Sequence, residues 1–163
     1  MGSVRLAKIV LTARAGLLFL LVGVNNIIDY ETNFDVVKHI LSMDMIPPGP
    51  FAGRVVAASS LHHIFYLGII GVEILGGAAT LTGVLRLWRA RNEAAKEFNK
   101  DKSLALCGLA LVFGLYFIGF ATIGGEWFQM WRAGSYNMQE PAFRFIGSIG
   151  LVMLFLNQPD EDF

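Results

Sequence analysis

Four stretches of the chain stay apolar for long enough to cross a bilayer, which takes about 20 mostly apolar residues for roughly 30 Å of hydrocarbon. The third is the cleanest: Leu104 to Gly124 carries no charge, and Ser103 stands before it as a helix cap. The second runs from about Val55 to Leu87, opens after Pro47, Pro48 and Pro50, and is apolar from Leu61 onward except for His62, His63 and Glu73. It is long enough to tilt or to project past the bilayer. The first, about Leu6 to Ile28, is interrupted by Arg14, whose side chain can snorkel to the near interface. The fourth, Pro141 to Gln158, opens with proline at the first helical position, has Glu140 beside the positive end of the helix dipole, and stops before Pro159. The pattern predicts an all-α fold. It is one integral membrane domain over residues 1–163, a four-helix transmembrane bundle with helices at about 6–28, 55–87, 104–124 and 141–158.

Composition agrees with that pattern. Of 163 residues 55% are hydrophobic and 16% charged, and the mean hydropathy is +0.55, too apolar for an ordinary soluble domain. Thirteen basic residues balance 13 acidic ones, with no basic tract beside aromatics, so nucleic acid is not an expected partner. A single cysteine, Cys107, excludes an internal disulfide, a CxxC redox pair and a four-thiolate zinc site. The first apolar stretch lies behind basic residues as a signal peptide would. No A-x-A-like site follows it and Asn25-Asn26 stands in that place, so a retained helix is expected.

Lys and Arg set the expected orientation. Arg5, Lys8 and Arg14, with Arg86, Arg89, Arg91, Lys96, Lys100 and Lys102 between the second and third segments, make nine of the 13 basic residues. That side should be cytoplasmic, with both termini inside.

Gly68, Gly76 and Thr80 on the second segment, and Gly147 with Gly150 on the fourth, offer small faces for close helix packing. The two outer connections are more than linkers. In the first, Asp29 to Gly53, residues Phe34, Val37, Ile40 and Leu41 fall on one face of a short amphipathic helix that would lie on the bundle or among lipid headgroups. The second gathers Trp127, Phe128, Trp131 and Tyr136, either as an interfacial aromatic belt or as a lid or docking surface.

Polar residues at membrane depth are the candidate chemistry. Glu73 stands mid-segment, where an ionised carboxylate costs several kcal/mol unless it is paired or neutral. His62, Tyr66 and Glu73 share one helical face, with Glu73 about 16 Å below His62 at about 1.5 Å per residue. That stripe reads either as interhelical glue, a protonated Glu73 bonding to a neighbouring helix, or as a proton path or polar ligand pocket. Arg144, at the outer end of the fourth segment, has Glu126, Glu140 and Asp29 as possible partners.

Copper and haem are the metal groups that His39, His62 and His63 would suit, since they are expected on the outer side with Met43, Met45, Met130 and Met138. No ligand spacing supports either. Adjacent His62 and His63 diverge on a helix, and a bis-His haem would need a ligand from a loop. No metal site and no cofactor are expected, and these side chains read as packing against aromatics.

The stretches NNIIDYETNFDVVKHILSMD (Asn25 to Asp44), LHH (Leu61 to His63) with Glu73, RLWRAR, GGEWFQMW (Gly124 to Trp131) and QEPAFRF (Gln139 to Phe145) resemble the bacterial family of predicted small integral membrane proteins, domain of unknown function family 2165. The resemblance covers nearly the whole chain. It implies a four-helix protein of the bacterial inner membrane and no particular activity. Two functions fit the residues. One is a non-enzymatic accessory subunit of a larger respiratory or photosynthetic type of complex, partnered by lipid and other membrane subunits. The other is a transporter-like or quinone- or lipid-handling protein that uses Glu73, His62, Tyr66 and Arg144 in a cavity open to the outer side.

Overall fold

The computed structural model describes residues 2–162. Among them are five α-helices: α1 (Gly2–Ile28), α2 (Tyr30–Ser42), α3 (Ser59–Ala90), α4 (Ala95–Gly114) and α5 (Gln139–Asn157). α4 continues without a break into a π-helical segment, Leu115–Trp127. Four helical stretches, Gly2–Ile28, Ser59–Ala90, Ala95–Trp127 and Gly134–Asn157, are long and apolar enough to cross a membrane. Their outward faces are apolar too. Leu17 and Leu21 of α1, Leu67 and Leu75 of α3, Phe117 and Ile118 of the π segment and Leu151 and Leu154 of α5 are all exposed, as expected of surfaces that meet lipid rather than water.

α3 is the central element and packs most extensively on α4 and α1. The approach is close because glycines face backbone. A methyl group at Gly83 would lie 2.7 Å from the Ala105 Cα, and one at Gly108 would lie 2.6 Å from the Gly76 carbonyl oxygen. On the other side of α3, a methyl group at Gly77 would lie 2.9 Å from the Gly16 carbonyl oxygen. Gly76 and Thr80 thus do the packing expected of them. Gly68 and Gly147 have open space where a Cβ would be, and Gly150 meets only the Phe113 ring at 3.6 Å. Hydropathy alone does not separate a small face that meets a helix from one that meets lipid.

The helix boundaries differ from expectation at three points. Ser103 does not cap a helix; it lies within α4, which starts at Ala95 and carries Lys96, Lys100 and Lys102 on its first turns. The connection between α3 and α4 is therefore short, residues 91–94, and most of the expected basic loop is helix. The cap comes from far along the chain: the Ala95 amide donates to Asp162 Oδ1 at 2.7 Å. α3 starts at Ser59, because residues 55–58 stay extended with the Val56 amide donating to the Leu41 carbonyl at 2.9 Å. Pro141 is the third residue of α5, where its missing N–H is still no loss.

The first connection folds into α2, separated from α1 by Asp29 alone and ended by Met43 in the left-handed region, φ 51°. Phe34, Ile40 and Leu41 are buried. Ile40, Leu41 and Met43 form a small apolar cluster with Phe128 and Met130 of the connection before α5.

At the opposite end, α1, α4 and the C-terminal tail are tied by a buried charge cluster. Asp160 Oδ2 accepts from Lys8 Nζ at 2.7 Å and from Lys102 Nζ at 2.6 Å. Both ammonium groups also donate to the Gln158 carbonyl at 2.7 Å. Asn99 brackets the same residue, donating to the Asp160 carbonyl at 2.9 Å and accepting from its amide at 3.0 Å. Arg5 donates to the Arg91 and Glu93 carbonyls at 3.1 and 2.7 Å, which fixes the short α3–α4 connection. Burial alone would raise the Asp160 carboxyl, but the two lysines outweigh it and hold the group below the ordinary aspartate range.

Candidate functional site: a carboxyl cavity between the helices

Glu73 lies midway along α3 and is 2% exposed. Its two carboxyl oxygens have separate donors from separate helices. Asn26 Nδ2, near the end of α1, donates to Oε2 at 2.8 Å, and the Tyr116 hydroxyl, at the start of the π segment, donates to Oε1 at 2.7 Å. A second layer holds Asn26 in place: Asn33 Nδ2 of α2 donates to Asn26 Oδ1 at 2.7 Å. The Tyr66 hydroxyl, about two turns above Glu73 on α3, donates more loosely to the Asn26 carbonyl at 3.4 Å. None of the ion pairs among the described residues includes Glu73.

These groups line a cavity of about 240 Å³ between the helices. α1 supplies Val22 and Asn26, α2 supplies Asn33, Val36 and Val37, and α3 supplies Tyr66, Ile69 and Glu73. The π segment adds Tyr116 and Phe120, and Met138 with α5 closes the remaining side through Pro141, Ala142 and Phe145. Aromatic rings cluster around Tyr66, one of the lining residues: Phe34 stacks on His63 at 4.1 Å and Tyr30 meets Tyr66 edge-on at 4.7 Å, ring centroid to centroid. A larger apolar groove of about 380 Å³ runs beside the cavity between α2, α3 and the π segment. Val36, Val37, Ile69 and Phe120 form the wall common to both.

The π segment matters to this geometry. Its i→i+5 bonding, seen where the Phe128 amide donates to the Ile123 carbonyl at 3.0 Å, widens the helix. Long π-helical stretches are rare and recur at functional sites. Here the segment starts at the residue before Tyr116 and carries Phe120 on the cavity side.

Of the expected stripe, Tyr66 and Glu73 reach the cavity. His62 does not line it: buried at the top of α3, its Nε2 is 2.7 Å from the Val56 carbonyl, so it pins the extended entry to the helix. Arg144 is also elsewhere. Its side chain is 75% exposed and pairs with Glu140 one turn back at 2.5 Å. The bond between Glu73 and neighbouring helices exists, through Asn26 and Tyr116, two residues that the sequence reading did not single out. A signal was present, since Tyr116 is one of few polar side chains in the cleanest apolar segment and Asn26 ends the first.

The aromatic residues before α5 do not form one surface. Trp127 and Trp131 face outward, each 53% exposed. The Arg54 guanidinium lies 4.5 Å from the Trp127 ring centroid and donates to the Trp127 carbonyl at 3.0 Å. Phe128 is buried, and Tyr136 turns back to α2, its hydroxyl donating to Asp35 Oδ2 at 3.1 Å. The three histidines are dispersed. His39 Nδ1 is 2.8 Å from Asp44 Oδ1, and His63 Nδ1 is 2.9 Å from the Tyr30 hydroxyl. Among the described residues no group of three or more His, Cys, Asp or Glu is placed to hold a metal. Burial would raise the Asp44 carboxyl, but the hydrogen bond and charge of His39 bring it below the ordinary value.

The family model for predicted small integral membrane proteins, DUF2165, matches residues 4–159. The chain belongs to the DUF2165 family. Comparison with curated proteins and with solved structures gives no match. The DUF2165 match takes in the four spanning helices but for the first two residues of Gly2–Ile28, and every residue around Glu73, so the cavity lies within the matched region. This DUF2165 member is a small multi-pass integral membrane protein.

Proposed function

We propose that this DUF2165 protein binds an amphiphilic small molecule of the membrane, placing its polar end at Glu73 and its apolar part in the adjoining groove. The observation that carries the reading is the Glu73 carboxyl, buried in a bundle that spans lipid, yet facing a cavity of about 240 Å³ rather than packed protein. A carboxyl serving only as interhelical glue needs no space beside it. Quinone and lipid handling both belong to this class of activity, and transport would require the ligand to leave on the other side. Among the described residues the carboxyl and two phenols are the ionisable groups that line the cavity, which favours binding over catalysis.

We place the protein in the bacterial inner membrane with both termini in the cytoplasm, since nine of 13 basic residues lie at the end that holds Lys8 and Asp160. The Glu73 cavity then sits toward the outer half. A single cysteine at Glu161, in a Cys107→Ser background, should react with an impermeant maleimide only after cells are permeabilised. One at Ser135 should react in intact cells, and the reverse pattern would invert the topology.

A second reading, an accessory subunit of a larger respiratory or photosynthetic type of complex, is favoured by the outward Trp127 and Trp131, large rings available to a neighbouring subunit. Purification from native membranes in mild detergent, followed by intact-mass analysis, separates the two. The binding reading expects a small-molecule adduct that disappears in Glu73→Gln. Stoichiometric protein partners with no adduct would establish the subunit reading and remove the first.

A further inference from the structure

We infer that the ligand of the Glu73 cavity is a lipophilic monovalent ammonium cation, and that it competes there with a proton. The inference rests on the binding reading above and names its ligand class.

Charge balance is the first argument. A carboxylate away from water is stabilised by an opposite charge or by neutralisation. Glu73 has donors on both oxygens, but both are neutral, an amide and a phenol. Among the described residues no arginine, lysine or histidine lines the cavity. The protein thus supplies hydrogen bonds to a negative charge and leaves the countercharge to come from outside. An anion or a second carboxylate would meet repulsion, and a neutral ligand would leave the charge uncompensated.

The walls supply the second argument. Four aromatic rings, Tyr66, Tyr116, Phe120 and Phe145, line the same space. Aromatic faces attract cations, most strongly where water is excluded, and cages of such rings recognise alkylated ammonium groups. A small hydrated metal ion would need several oxygen ligands, and beside two amides and two phenols the cavity offers a single carboxyl, both of whose oxygens are already engaged.

Competition follows from what faces Glu73 on each side. α1 presents Asn26, α2 presents Asn33, α5 presents Ala142 and Phe145, and none of these titrates. Tyr66 on its own helix and Tyr116 on the π segment are the two ionisable neighbours, both as phenols. One carboxyl therefore answers to both proton and ligand. Loading the cation displaces the proton, and affinity climbs with pH, approaching about tenfold per unit where one proton is exchanged for each cation.

The test uses the full chain in nanodiscs of zwitterionic lipid, with empty nanodiscs as the blank. Hexyltrimethylammonium, hexanol and hexanoate are titrated by calorimetry between pH 5 and 8. Hexyltrimethylammonium should bind one to one and release a proton into weak buffer. It should lose at least tenfold in affinity in Glu73→Gln, while the other two do not bind. If hexanol binds as well as the cation and is indifferent to Glu73→Gln, the cation assignment is overturned and the amphiphile reading stands. If none of the three binds folded wild-type protein, both readings are overturned. Should Glu73→Gln not fold, Tyr116→Phe decides. It keeps the carboxylate and frees one oxygen, so it should tighten cation binding at the high-pH limit, and unchanged or weaker binding overturns the inference.

Discussion

Gly83→Leu is expected to cost the bundle at least about 3 kcal/mol, and with it most of the folded population in a harsh detergent. Even a methyl group at Gly83 would press on the backbone of Ala105, 2.7 Å from its Cα, and backbone cannot rotate aside as a side chain can. α3 and α4 would have to separate, and Thr80 and Gly108 beside the contact would separate with them. In membranes helix association depends on van der Waals fit, because lipid is as apolar as leucine and offers no hydrophobic gain to offset a gap. Gly147→Leu is the matched control. It adds the same side chain where nothing lies within 4 Å, and its melting temperature should stay near wild type. Equal destabilisation of the two variants would show that close packing at Gly83 is not what holds α3 to α4.

Asp160→Ala should rank second in effect, about 3 kcal/mol, because it strands two ammonium groups that are nearly fully buried around one carboxylate. The tail would lose its hold on α1 and α4 together, and the Asp162 cap on Ala95 would loosen with it. The pH dependence has a fixed sign. Asp160 in the folded protein titrates below its ordinary value, so its contribution is complete above about pH 4, the unfolded aspartate value. It is lost as pH falls through the lower folded value. Acid melting curves of wild-type protein in detergent should therefore show a loss of stability below about pH 4 that is reduced in Asp160→Ala. Superimposable acid limbs, with no drop in melting temperature at neutral pH, would rule out the cluster as a source of stability.

The spanning helices were legible because the bilayer imposes a length and a composition that no soluble helix needs. Their ends were less so. α4 starts nine residues before the apolar run, in a polar stretch whose cap is an aspartate 67 residues further along the chain. A hydropathy reading has no access to that pairing. Tyr66 and Glu73 come together at the cavity because both lie on one side of a regular helix. His62 left the stripe for a reason outside that helix, the carbonyl of Val56 in the extended segment before it. Asn26 and Tyr116 could be seen as polar residues in apolar surroundings, but their meeting at Glu73 depends on how α1 and the π segment rotate toward α3. The π segment itself carries no proline to announce it.

The Asp160 cluster brings the first turns of α1 against residues 158–160, so the described backbone comes close to closing on itself. The helices are in effect arranged as a ring, and the order in which they are connected is separable from their packing. A short linker joining Gly2 to Asp162, with new ends opened at Gly49 in the exposed segment after α2, would give a circular permutant with the described interhelical contacts retained. The order in which the helices enter the membrane would change, while the cavity they enclose would not.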